Sequence, residues 1–224
     1  MGKGKLIVLE GIDGSGKSTQ YKLLCDRFKK EGIAFHSIEF PRYGEESSAL
    51  IRLYLGGAFG EHPSDVNPCA ATAFYAVDRY ASYKQDWGEL YENGGLILSD
   101  RYTTSNAVHQ GSKVGDAELP AFFDWLYDFE YVRLELPRPD LVIYLEVDID
   151  TALDRIRHRE ERTNTHADIH EQDEAYLRGC LRMGELAADH YGWTRVSCAL
   201  NGTVRDREEK SEEIFSLIKK AGLI

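Results

Sequence analysis

The sequence predicts an α/β fold in three layers, a five-stranded parallel sheet flanked by helices. Three observations carry that reading. First, Gly11-Ile12-Asp13-Gly14-Ser15-Gly16-Lys17-Ser18 fits the phosphate-binding template G-x-x-x-x-G-K-[ST] at every fixed position. Second, this motif lies between a short apolar run, Leu6-Ile7-Val8-Leu9, and a helical pattern over 19–30 with Leu24 and Phe28 on one face. Third, further short apolar runs alternate with helical periodicity along the rest of the chain, which is the signature of parallel strands joined by helices. With 224 residues, 42% of them hydrophobic, the chain suffices for one sizeable core. No repeat, low-complexity tract or linker divides it, so 1–224 reads as a single domain.

The elements follow in order. Glycines 11, 14 and 16 open backbone angles closed to other residues, so the loop amides and the following helix N-terminus converge on one anion. The nucleotide-contacting positions are Gly11, Gly14, Ser15, Gly16, Lys17, Ser18 and Thr19: Lys17 adds a point charge, and the Ser18 hydroxyl suits a magnesium ion on the outer phosphates. Residues 34–40 alternate around Phe35, Ile38 and Phe40 and stop at Pro41, a second strand ending in the loop Phe40-Pro41-Arg42-Tyr43-Gly44. A short helix over 48–55 leads through a glycine- and proline-rich connection to a long helical pattern, 70–93, ended by Gly94-Gly95. On it Tyr75 and Arg79, four apart, share a face.

The run 96–100 is apolar and closes on Asp100, followed at once by Arg101, so a buried strand delivers charge at its C-terminal edge, where open α/β sheets bind ligands. Residues 119–130 are aromatic with helical spacing, 141–147 is the most strand-like run, and 193–197 is a fifth strand before Asn201-Gly202 and a closing helix over 205–221. A different texture occupies a helical flap, about 151–175. Residues 151–162 are helical and basic, 163–168 polar, and 172–191 helical again. Arg155, Arg159 and Arg162 share one face with Arg157 off it, and two readings stay open: a solvated face paired with Glu160 and Glu161, or a lid whose arginines enter the site.

A net charge of −11 argues against coating nucleic acid or an anionic membrane, both of which need a basic face. No run approaches a membrane span and no apolar leader precedes the first strand, so a cytoplasmic protein is expected. Cys25, Cys69, Cys180 and Cys198 stand far apart, which suits reduced thiols better than zinc ligation.

Taken together, these stretches resemble the thymidylate kinases, nucleoside monophosphate kinases of the P-loop NTPase fold. The resemblance runs from about residue 6 to 217. It rests on the Asp-bearing loop 11–19, Phe40-Pro41-Arg42-Tyr43, Tyr75-Ala76-Val77-Asp78-Arg79, Asp100-Arg101-Tyr102 with Ser105-Asn106, and Leu136-Pro137-Arg138-Pro139-Asp140-Leu141. It implies transfer of the γ-phosphoryl of ATP to dTMP with Mg2+, in a homodimer. Asp13 resembles the acid at the sugar 3′-hydroxyl and acceptor phosphate, Arg42 and Arg101 the phosphate-binding arginines, and Tyr75 the aromatic stacked on thymine. Phe40 resembles a wall of that pocket, Arg79 the donor to O4, Asn106 a polar contact to the base, and Asp100 the acid near the metal.

Two departures matter. Some members carry a basic residue inside the loop where Gly14 stands here, which resembles the subgroup that supplies the charge from its lid, with Arg157, Arg159 and Arg162 as candidates. His109 stands where several members have an aromatic near the sugar's 2′ carbon, and His170 where some have tyrosine. Another nucleotide or deoxynucleoside kinase of the same fold is the alternative. A GTPase switch is remote, because no N-K-x-D signature occurs and Asp189-His190-Tyr191-Gly192 precedes the last strand instead of closing an early one.

Overall fold

The computed structural model describes residues 2–163, 170, 173–200 and 203–224, with backbone only for 159–163 and 200. Five strands form one wholly parallel sheet: β1 Lys5–Glu10, β2 His36–Glu39, β3 Leu96–Asp100, β4 Leu141–Glu146 and β5 Thr194–Ser197, in the order β2-β3-β1-β4-β5. Leu6, Ile7, Val8 and Leu9 of β1 are fully buried, as a central strand covered on both faces demands. Register sets Leu9 beside Asp100, Asp100 beside Glu39, and Glu10 beside Tyr144. The loops after β1, β2 and β3 therefore open at one edge of the sheet.

Nine helices among the described residues cover the faces and the edge: α1 Lys17–Lys30, α2 Ala49–Leu55, α3 Pro68–Ser82, α4 Gly88–Glu92, α5 Thr104–His109, α6 Leu119–Tyr127, α7 Ile149–Thr163, α8 Glu174–Tyr191 and α9 Arg207–Lys220. On one face Leu24 and Phe28 of α1 and Ile214, Phe215 and Ile218 of α9 pack on Ile7, Leu9, Ile143 and Val196. On the other, Trp87, Tyr102 and Leu136 close over Leu6, Val8 and Ile97. Each such side chain contributes roughly 1.5–3 kcal/mol by leaving water. The three layers expected from the sequence are present.

Two stretches expected as uninterrupted helices contain a wide π-helical turn. Residues 70–93 form α3, a π turn at Tyr83–Trp87, and α4. The widened turn puts Tyr83 O where a β-carbon on residue 88 would sit, 2.3 Å away, so Gly88 is required, and it turns Trp87 fully into the core. Likewise α6 runs into a π turn at Asp128–Arg133 that carries the side chain of Glu130 to complete burial. Such turns are frequent at functional sites.

The second strand is shorter than the pattern over 34–40, ending at Glu39 just before the Pro41 that lacks an N–H. Helix α5 and the antiparallel pair β6 Ala199–Leu200 and β7 Thr203–Val204 are not foreseen by the sequence pattern, being too short to show a period. Asn67 caps α3 by accepting from Cys69 N at 2.8 Å, and Asp206 caps α9 by accepting from Glu208 N at 2.8 Å. Among the described residues no helix is long and apolar enough to cross a membrane.

Candidate active site

The loop between β1 and α1 wraps toward one point because Gly14 and Gly16 adopt φ of 79° and 88°. At Gly14 the need is double: a β-carbon there would stand 2.3 Å from the carbonyl oxygen of Ala152 on α7. Lys17 opens α1 and is 7% exposed; its ammonium rests on the carboxylate of Asp100 at the end of β3. Burial and the neighbouring Arg101 push the lysine down from its usual value, while Asp100 works the other way. Ser18, one residue on, is exposed beside it.

Arg101, the residue after β3, has φ of 62°, a left-handed conformation uncommon for a side-chain-bearing residue, and its backbone N–H donates to Leu9 O at 2.9 Å. The turn aims its guanidinium back over β1. There Nη2 donates to Asp13 Oδ1 at 2.7 Å, and Nη1 to Glu10 Oε1 at 3.2 Å. Burial alone would raise the Asp13 carboxyl; Arg101, with His109 and Lys17, outweighs it and holds the group at about 2. Burial alone would lower Arg101, and Asp13, Glu10 and Asp100 more than reverse that.

Glu10, the last residue of β1, is fully buried and accepts from four groups. Its Oε1 takes Gly11 N–H at 2.9 Å besides Arg101, and its Oε2 takes the hydroxyls of Thr104 at 2.6 Å and Ser105 at 2.7 Å. It ties the phosphate loop to α5. His109, at the end of α5, stands with Nε2 3.2 Å from Arg101 Nη1. A guanidinium only donates, so Nε2 accepts and Nδ1 carries the proton. Burial first, and Arg101 second, push His109 down to about 3. The His170 ring stacks on it at 5.7 Å with planes 12° apart.

A cavity of about 300 Å³ opens beside this cluster. Asp13, Lys17, Ser18, Phe40, Tyr75, Arg79, Asp100, Arg101, Asn106 and His109, all singled out from the sequence, line it together with Gln110 and His170. At its floor Arg79, 1% exposed, donates Nε to Glu130 Oε2 and Nη2 to Glu130 Oε1, both at 2.7 Å. Asn106 Nδ2 donates to Glu130 Oε1 at 2.8 Å. A groove of about 470 Å³ runs along the other side of the loop, past Gly14, Gly16 and Thr19 to Arg155, Arg207 and Lys210. The two share Asp13, Lys17, Ser18 and Arg101.

Two arginines stand differently from expectation. Arg42 lies between two lining residues, Pro41 and Tyr43, with its Nη2 on Ser47 Oγ at 3.1 Å and its Nε on Asp78 at 3.4 Å. Arg157 points away from the loop to Asp154, and its side chain is 65% exposed, because two residues on from Arg155 it lies about 200° round α7, off the loop-facing side. Arg155 takes the place expected of it, donating Nη1 to Gly14 O at 3.1 Å and Ser15 O at 3.0 Å. The side chains of Arg159 and Arg162 lie outside the described residues.

Glu10 and Glu130 were missed as site candidates, and Arg155, read as part of the basic face, was left out of the residues expected to supply the charge. Each left a signal: an acid closing an otherwise apolar strand, an acid closing an aromatic helix pattern, and the basic residue nearest the start of the lid helix.

Among the described residues no group of three acidic, histidine or cysteine side chains forms a metal cage. Ser18 and Asp100, on the same cavity, supply a hydroxyl and a carboxylate, hard oxygen donors fitting a magnesium ion that keeps several waters and is held largely by substrate phosphates.

The thymidylate kinase family model matches residues 9–211. A thymidylate kinase of Mycobacterium tuberculosis is 33% identical over 190 residues, covering 84% of this chain and 87% of that protein. One from Synechococcus is 31% identical over 209 residues, covering 89% and 90%. A solved thymidylate kinase from Candida albicans superposes with a TM-score of 0.68 at 19% identity, over 99% of this chain and 93% of that one, a likeness of fold. By the match over most of its length, the chain belongs to the thymidylate kinase family.

Proposed function

We propose that the chain carries out its family's reaction, transfer of the γ-phosphoryl of ATP to the 5′-phosphate of dTMP, giving ADP and dTDP. The observation that carries the reading is the sharing of Asp13, Lys17, Ser18 and Arg101 by the phosphate-loop groove and the base-sized cavity. A donor phosphate in one and an acceptor phosphate in the other meet on those four side chains.

An acceptor phosphate is already an anion, so the reaction needs alignment and charge neutralisation in place of a strong base. The loop amides and Lys17 hold the outer phosphates of ATP. Arriving phosphate draws Lys17 off Asp100 and leaves that carboxylate free near Ser18. Ser18 and Asp100, with the substrate phosphates, would hold a magnesium ion, which would supply charge neutralisation for the transferring group. Arg101, fixed by Asp13 and Glu10, presents its remaining N–H groups to the acceptor phosphate, with Arg42 released from Ser47 to assist. Asp13 accepts from the sugar 3′-hydroxyl, Tyr75 and Phe40 sandwich the thymine, and His109 packs beside the sugar.

Residues 151–175 act as the lid. Arg155 is the arginine we place on the transferring phosphoryl, since its guanidinium sits 3.4 Å from where a β-carbon on Gly16 would stand. By their spacing in the sequence we assign Arg159 and Arg162 to the same role, and closure excludes water as a competing acceptor. The active form is a homodimer in the cytoplasm, one domain per chain.

The test is ADP release over a panel of monophosphates. We expect dTMP to be used about a thousandfold better than dCMP, and roughly tenfold to a hundredfold better than dUMP, which lacks only the methyl. Equal use of dCMP and dTMP contradicts thymidylate as the substrate.

A further inference from the structure

Behind Arg79 and Asn106, which line the cavity, lies a carboxylate that makes no contact assigned to substrate. Glu130 is fully buried, carried inward by the π turn after α6. Its two oxygens are engaged by Arg79 from α3 and Asn106 from α5. A carboxylate paired with a guanidinium has acceptor capacity only. Asn106 must therefore turn its amino group to Glu130, an orientation supported by a second contact from Nδ2 to Thr72 O at 3.4 Å. The Asn106 carbonyl oxygen, to which no described group donates, is left for the cavity that Asn106 lines.

Arg79 is constrained in the same way. Nε and one N–H of Nη2 are spent on Glu130, and Nη1 reaches Tyr102 O at 3.3 Å. What remains toward the cavity is donor. The floor thus presents an acceptor next to a donor, the complement of the N3–H and O4 edge of thymine. Cytosine offers an acceptor at N3 and a donor at N4, the reverse at both positions.

We propose that Glu130 is the positioning residue for pyrimidine selection: by accepting from both side chains it fixes the polarity of Asn106 and Arg79 without touching the base. This rests on the dTMP-kinase reading. Replacing the carboxylate by an amide tests polarity while nearly conserving shape. In Glu130→Gln, the oxygen of the introduced amide still serves Arg79 Nε, while its amino group takes the place of Oε1, facing Asn106 and leaving Arg79 Nη2 without its acceptor. Asn106 then turns its own oxygen to that amino group and its own amino group to the base.

The expected result in Glu130→Gln is that kcat/KM for dTMP falls tenfold or more, mainly through KM. Use of dCMP holds or rises, so the dTMP-to-dCMP ratio shrinks at least tenfold, while KM for ATP stays within twofold. Glu130→Asp, still an acceptor, keeps that ratio within about threefold even if both substrates are used less well. A parallel loss for both bases in Glu130→Gln, leaving the ratio intact, overturns the proposal and leaves Glu130 a structural partner of Arg79.

A measurement on the unaltered enzyme decides the matter even if the variants do not fold. In asparagine-labelled protein, the Asn106 side-chain N–H signals should exchange slowly with or without dTMP, because Glu130 holds them. Protection appearing only with dTMP overturns the proposal, since the amino group would then face the base. Equal use of dCMP and dTMP by the unaltered enzyme counts against the thymidylate reading instead, and the exchange result still decides how Asn106 is held.

Discussion

The acceptor side and the donor side of this site are built on opposite plans. On the acceptor side, Arg79 and Arg101 are 1% and 14% exposed, and each is locked by carboxylates, buried Glu130 for one and buried Glu10 with half-buried Asp13 for the other. On the donor side, Arg155 rests on two backbone carbonyls of the loop, and Arg157 stands in solvent against Asp154. A charge held by carboxylates is in place before substrate arrives and costs little reorganisation during reaction. A charge on a lid helix acts where the lid brings it. On the mechanism proposed above, recognition is preorganised and part of the catalysis waits for lid closure.

Lys17 sits at the junction, and its loss should be the largest effect. Lys17→Ala is expected to lower kcat by a hundredfold or more, about 3 kcal/mol, with the melting temperature little changed. Steady-state ADP release together with a thermal melt checks it, and retention of half the activity would remove the phosphate loop from the mechanism.

A pH titration sharpens the picture of the acceptor side. His109 is held neutral, at about 3 against an ordinary 6.5, so the unfolded chain takes up a proton that the folded chain refuses. Its share of stability is whole above pH 6.5 and is lost as pH falls toward 3. His109→Gln, which keeps an acceptor for Arg101 but does not titrate, should therefore lose less stability in acid than the unaltered protein. The gap should close by on the order of 3 kcal/mol between pH 7 and pH 4. Denaturant melts at both pH values measure it; parallel curves would show that His109 is not held neutral by its setting.

Arg155→Ala breaks the comparison if the donor side is preorganised after all. The expectation is a tenfold to hundredfold fall in kcat, about 1.4–2.7 kcal/mol, with KM for dTMP nearly unchanged, as befits contacts made in the transition state. Smallest of all, Arg157→Ala should stay within about twofold of normal turnover, because an exposed pair on a helix surface contributes little. A large loss there would bring Arg157 back into the site and assign Arg155 to structure.

How much of this could be read in the sequence depended on the range of the interaction. The phosphate loop, the strand-end pair Asp100-Arg101 and the face shared by Tyr75 and Arg79 are local patterns, and the structure gathers them around one cavity. Glu130 was hidden because it is 51 residues from Arg79, and its inward direction is set by a π turn that a 3.6-residue period does not foresee. Glu10 could have been suspected as a charge inside a buried strand, but its partners Thr104 and Ser105 lie on α5, a helix too short to announce itself. The choice between Arg155 and Arg157 needed the angle at which α7 leaves the sheet, which no spacing along the helix supplies.

The close approach of Ala152 to Gly14 bears on how such enzymes change over evolutionary time. A basic side chain in the loop and a lid helix seated on the loop compete for the same space, since even one added carbon at Gly14 would stand 2.3 Å from the Ala152 carbonyl. A side chain at position 14 and α7 in its present seat therefore exclude one another. The start of α7 has to withdraw before residue 14 can grow, and withdrawing it carries Arg155 away from Gly14 and Ser15. In this chain α7 stays seated on the loop, with Gly14 beneath Ala152 and Arg155 on the carbonyls of Gly14 and Ser15.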